Sequence, residues 1–130
     1  MILLDTSVWV DHLRRGDPLV VQVLESGQAA AHAFVIGELA CGNLKSRVRV
    51  IDLLQALLQL TMAMDDEVLY FIERHKLMGR GIGYVDAHLL AAASISGSLL
   101  WTRDKRLREI ATALGVAYLE TDQWRHAKPS

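Results

Sequence analysis

The chain has 130 residues, of which 52% are apolar and 22% charged, the balance of one globular domain with a sizeable core, and this excludes a disordered chain. No apolar run is long enough to span a bilayer. The net charge of −1 excludes the strongly basic class of nucleic-acid binders. Met1 to Trp9 is apolar but interrupted by Asp5 and preceded by no basic region, which argues against a secretory leader. The single Cys41 allows no internal disulfide and fits a reducing cytoplasm; it is expected to be a small buried helix residue.

Short apolar runs alternate with stretches of helical period. Ile2 to Leu4 reads as a buried strand and Ser7 to Arg15 as a helix broken by Gly16-Asp17-Pro18. A second helix carries Leu19, Val20, Val23 and Leu24 and stops at Ser26-Gly27. Gln28 to Phe34 reads as a strand leading into a helix that holds Glu38 and ends near Gly42-Asn43. Arg47 to Leu60 has the apolar spacing of a helix, and Thr61 to Met64 reads as a short edge strand. Asp65-Asp66-Glu67 is an acidic helix start, and that helix runs to Met78. After the Gly79 to Gly83 loop come a helix over Asp86 to Ser96, a strand over Ser98 to Thr102, a helix over Asp104 to Leu114 and a final strand over Val116 to Leu119. Trp9 and Trp101 are expected in the core. Residues 1–122 form a single domain, and 123–130 a loosely held tail whose start Trp124 anchors. Strands separated by helices predict an α/β fold, a three-layer α/β/α sandwich around a mostly parallel sheet.

Asp5, Glu38, Asp86 and Asp104 each stand at or just beyond the end of an apolar segment. In an open α/β sheet, chemistry gathers beyond the carboxyl ends of the strands. Four carboxylates converging there need a cation to stay ionised together. Oxygen donors suit Mg²⁺ or Mn²⁺, whose shells water and substrate phosphate complete. Thr6 and Thr102 are placed to hydrogen-bond a carboxylate or a metal-bound water. For Asp86 and Asp104, stabilisation of a helix dipole is an alternative without chemistry. Arg103, Lys105 and Arg106 oppose the dipole at a helix start, a penalty that a nearby phosphate would reverse. Arg108 adds to this cluster, and Lys45, Arg47 and Arg49 form another. The equally plain alternative is a solvated cationic face.

Other motifs fail. Asn43-Leu44 stands where a P-loop requires Lys-Ser/Thr. Gly79, Gly81 and Gly83 do not follow a strand, as a dinucleotide fingerprint would. His12, His32, His75, His88 and His126 lack zinc-ligand spacing; His12 and His88 are read as surface or packing residues. No nucleophile elbow surrounds Ser7.

The segments Leu3-Leu-Asp-Thr-Ser-Val-Trp-Val-Asp11, Ile36-Gly-Glu-Leu-Ala-Cys-Gly42, Asp86-Ala-His-Leu-Leu-Ala-Ala92 and Leu100-Trp-Thr-Arg-Asp104 resemble the PIN-domain family, and more narrowly its VapC-type toxins. The resemblance runs over essentially the whole chain with the motifs in the family's order. It implies a PIN-like sandwich, Mg²⁺- or Mn²⁺-dependent endoribonuclease activity on a structured RNA such as a tRNA or rRNA, and a homodimer restrained by a cognate antitoxin. It places Asp5, Glu38, Asp86 and Asp104 in the catalytic metal site, with Thr6 and Thr102 beside them. Many relatives carry a further Asp or Asn where this chain has Arg106, which favours one firmly held ion. The rivals are a housekeeping RNA-processing PIN nuclease, and an aspartyl phosphatase or phospho-receiver domain. Ser7 stands where such a phosphatase needs a second Asp, and the receiver's acidic pair is absent.

Overall fold

The computed structural model describes residues 1–120. The elements follow in the order β1 (Ile2–Leu4), α1 (Thr6–Arg15), α2 (Pro18–Glu25), β2 (Ala29–Ala31), α3 (Ala33–Ala40), α4 (Arg47–Ala56), β3 (Leu58–Gln59), α5 (Asp65–His75), α6 (Tyr84–Ser96), β4 (Leu99–Trp101) and α7 (Lys105–Ala113). The strands form one sheet in the order β3-β2-β1-β4, and every pairing is parallel, with Ile2 opposite both Ala29 and Leu99 and Ala30 opposite Leu58. Consecutive residues of β1 and β2 are all buried. Side chains alternate between the two faces of a strand, so helices cover both. This is the α/β sandwich that the alternating pattern predicts.

The chain builds outward from β1 through β2 to β3, then returns to place β4 on the other side of β1. The strand order therefore reverses between β1 and β4, and a crevice opens at their carboxyl ends. Trp9 and Trp101, both fully buried as expected, pack into the core with Leu3, Leu4, Leu89, Leu90 and Leu100.

Several boundaries differ from the sequence reading. The strand expected over Gln28 to Phe34 contracts to Ala29–Ala31, because His32 ends it: its Nδ1 accepts the Phe34 N–H at 3.0 Å and caps α3. The helix expected to continue to Leu60 stops at Ala56, and the edge strand falls at Leu58–Gln59 rather than Thr61 to Met64. The Gln59 side-chain amide donates to the carbonyls of Leu54 (2.8 Å) and Leu57 (3.0 Å), satisfying the end of α4 without a glycine. The final strand reduces to a single parallel bridge between Leu100 and Ala117. Helix α5 ends at His75, short of Met78. Trp124 and the expected tail lie outside the described residues.

Candidate active site

Asp5 follows β1 directly, and its N–H donates to the Trp101 carbonyl at 2.9 Å, which ties it to the end of β4. It occupies the N-cap position of α1, but its side chain makes no capping bond. Instead Oδ2 accepts two hydroxyls, Ser7 Oγ and Thr102 Oγ1, each at 2.8 Å. Asp5 is 7% exposed, and a buried carboxylate needs such donors. Both hydroxyls are themselves held: Ser7 Oγ accepts the Arg103 N–H at 3.0 Å, and Thr102 Oγ1 accepts the Asp104 N–H at 3.1 Å.

The other acids stand around this centre. Glu38, exposed on α3, accepts the Thr6 hydroxyl at 2.8 Å. Asp104 caps α7 through Leu107 N–H at 3.1 Å, and Asp86 in the first turn of α6 accepts Gly83 N–H at 3.2 Å. The dipole and capping role foreseen for Asp86 and Asp104 is therefore real. It does not exhaust them. Burial pushes the Asp86 carboxyl above its ordinary range against the Gly83 N–H, and the negative charges of Asp5, Asp104 and Glu38 push it further. Asp86 thus lies within the field of the other three acids.

No three His, Cys, Asp or Glu side chains among the described residues are gathered closely enough to close around an ion. This is not a caged site of the zinc type. Carboxylate oxygens, one of them on a carboxyl whose pKa burial and its acidic neighbours raise, do fit a hard divalent cation, which takes one or two carboxylates and completes its shell with water and phosphate.

Beside Thr6 and Glu38 lies a cavity of about 400 Å³ whose apolar lining includes Leu13, Leu39 and Leu44, with Arg14 and Lys45 also on its wall.

The PIN-domain family model matches residues 2–113. The chain belongs to the PIN-domain family. It is 49% identical over 121 residues to ribonuclease VapC32 of Mycobacterium tuberculosis, covering 92% of this chain and 98% of that one. Its fold is shared by PAE2754 from Pyrobaculum aerophilum, with a TM-score of 0.67 at 20% identity over 97% of this chain and 94% of that one. It is also shared by a toxin-antitoxin complex from Klebsiella pneumoniae, with a TM-score of 0.61 at 23% identity over 80% of this chain and 87% of that one.

Within this PIN domain the cations expected at substrate are placed differently from one another. Lys105 and Arg106 are exposed in the first turn of α7. Arg106 lies over Gly81, at φ 82°, where a Cβ would collide with its side chain. Arg103 departs from its expected role. Its guanidinium is engaged by Asp11 (2.8 Å), Asp17 and Glu120 (2.9 Å), and the Arg103 hydrogen bond holds Asp11 below the ordinary carboxylate range.

Sequence reasoning missed Ser7 as a partner of Asp5; the available signal was a second hydroxyl in Asp5-Thr6-Ser7. Cys41 is exposed rather than buried, because it falls at the C-cap of α3, past the helix's packed face. His12 closes the α1–α2 corner by accepting Asp17 N–H at 3.0 Å. His88 is buried between the rings of Phe34 and Tyr84.

Proposed function

We propose that this PIN domain is a Mg²⁺- or Mn²⁺-dependent endoribonuclease and the toxin of a toxin–antitoxin pair, cutting a structured RNA such as a tRNA or rRNA in the cytoplasm. This reading is supported by a 49% identity to a ribonuclease over nearly the full length, together with the charges of Asp5, Glu38 and Asp104 acting on Asp86. Among the described residues no helix is long and apolar enough to cross a membrane.

Asp5, Asp86, Asp104 and Glu38 would supply the one or two carboxylates that hold the ion, the others acting on it through water. When bound, the ion polarises a phosphoryl oxygen and lowers the pKa of a bound water. Ser7 and Thr102 fix the Asp5 carboxylate, so its position is set before substrate arrives. Thr6 holds Glu38 toward the same crevice. Lys105 and Arg106, exposed beside Asp104, are the residues for the phosphates flanking the cut. The apolar cavity beside Thr6 and Glu38 suits an antitoxin segment that blocks the acids, and the active unit is a homodimer.

The test is Asp5→Asn in the purified chain. Metal-dependent RNA cleavage should disappear while the far-UV circular dichroism spectrum stays unchanged, and undiminished cleavage would sink the proposal. Inducing the chain alone in cells separates a toxin from a housekeeping nuclease. Growth arrest relieved by a neighbouring gene supports the toxin, and harmless expression supports the housekeeping role.

A further inference from the structure

Arg103 directly precedes Asp104, and its N–H reaches Ser7, a partner of Asp5, yet its side chain engages neither acid. Its guanidinium gathers Asp11 of α1, Asp17 at the N-cap of α2, and Glu120. Glu120 also accepts the Trp101 indole N–H at 2.8 Å, and the guanidinium carbon lies 5.7 Å from the centre of the Trp101 ring. To reach an RNA phosphate, Arg103 would first have to leave three carboxylates in a partly buried place, with side-chain exposures of 28%, 16% and 36%. Its main chain, by contrast, reaches the site. The Arg103 N–H donates to Ser7 Oγ, and the next N–H, of Asp104, donates to Thr102 Oγ1. Those two hydroxyls are the donors to Asp5 Oδ2.

We propose that Arg103 is a positioning residue: its guanidinium fastens the 102–104 turn to the α1–α2 corner, so that Ser7 and Thr102 hold the Asp5 carboxylate in one orientation. This rests on the metal-nuclease reading above and assigns Arg103 to the support of the ligand set rather than to RNA. A planar fork with five donors can serve three carboxylates at fixed angles, which an ammonium cannot. Partners that orient a ligating carboxylate typically change metal affinity by about 10- to 100-fold when removed.

The experiment uses the purified full chain and Mn²⁺ as probe, with binding read by electron paramagnetic resonance without RNA, well below the thermal midpoint. Arg103→Gln should weaken Mn²⁺ binding at least about 10-fold and lower kcat, with KM for RNA within about twofold of wild type. Arg103→Lys should recover only part of the loss. Ser7→Ala should weaken Mn²⁺ binding with the Arg103 cluster intact. Unchanged Mn²⁺ affinity in Arg103→Gln overturns the inference, and a raised RNA KM beside it would make Arg103 a substrate contact. If Arg103→Gln does not fold, Asp11→Asn and Ser7→Ala carry the test, and wild-type Mn²⁺ affinity in both overturns it. A wild-type chain that binds no Mn²⁺ overturns the metal-nuclease reading itself, a result distinct from binding that the variants leave intact.

Discussion

The two sides of the acidic crevice are built on different physical terms. On the β1–β4 side, Asp5 is buried and receives two hydroxyls, each backed by a main-chain N–H. On the α3 side, Glu38 is exposed and has one hydroxyl partner, Thr6. The first side is anchored at the ends of two strands paired in parallel along three residues. The second hangs on a short helix whose start depends on one imidazole. A carboxylate held from several directions can define where a cation sits, while one held by a single bond can adjust to it. That division suits a site whose coordination shell is finished by substrate.

The contrast is broken most severely at Asp5. Asp5→Asn should lower cleavage by about 10³-fold, the order expected when several kcal/mol of charge stabilisation are removed. A single-turnover assay on RNA measures it.

On the other side, His32 supports the start of α3. It is fully buried, and burial first, then the nearby charge of His88, depresses its pKa from 6.5 to about 4. The fold therefore prefers neutral His32: its stabilisation is complete above pH 6.5 and is lost as pH falls toward 4. The shift corresponds to about 3 kcal/mol. Protonation of Nδ1 also removes the acceptor for Phe34 N–H and loosens the helix that carries Glu38. Chemical denaturation at pH 7 and pH 4.5 should show this loss, and His32→Asn, which keeps a capping oxygen without an ionisable ring, should flatten it. An unchanged pH profile in that variant would show that His32 is not the titrating group.

Smaller effects sharpen the comparison. Thr102→Val keeps shape but removes a donor to Asp5, and should reduce metal affinity or activity by about 10- to 100-fold. Thr6→Val removes one exposed hydrogen bond on the adjustable side and should cost only about 2- to 10-fold. If kinetics with the two variants gave equal losses, the proposed division between a fixed and an adjustable side would be wrong.

The acids stood out in the sequence because each interrupts or follows an apolar segment. Asp5 and Asp104 do fall just past strands β1 and β4, while Glu38 lies within α3 and Asp86 in the first turn of α6. The layers were legible from alternating periods. What escaped is local and polar. His32 is an uncommon helix cap, so the pattern ran Phe34 into the strand. Gln59 ends α4 with its own side chain, and Leu57 and Leu58 continue the helical spacing past the real stop. The partners of Arg103, namely Asp11, Asp17 and Glu120, lie 17 to 92 residues away in the chain, beyond what spacing along a sequence encodes. Ser7, by contrast, stands two residues from Asp5 and was simply overlooked.

Cys41 gives the adjustable side a practical use. It is the chain's single thiol, exposed at the end of the helix that carries Glu38 and adjacent in sequence to Gly42 on the wall of the apolar cavity. A maleimide fluorophore or nitroxide would attach there without any engineered cysteine. Its signal would test, in the otherwise native chain, whether the proposed antitoxin segment enters the cavity.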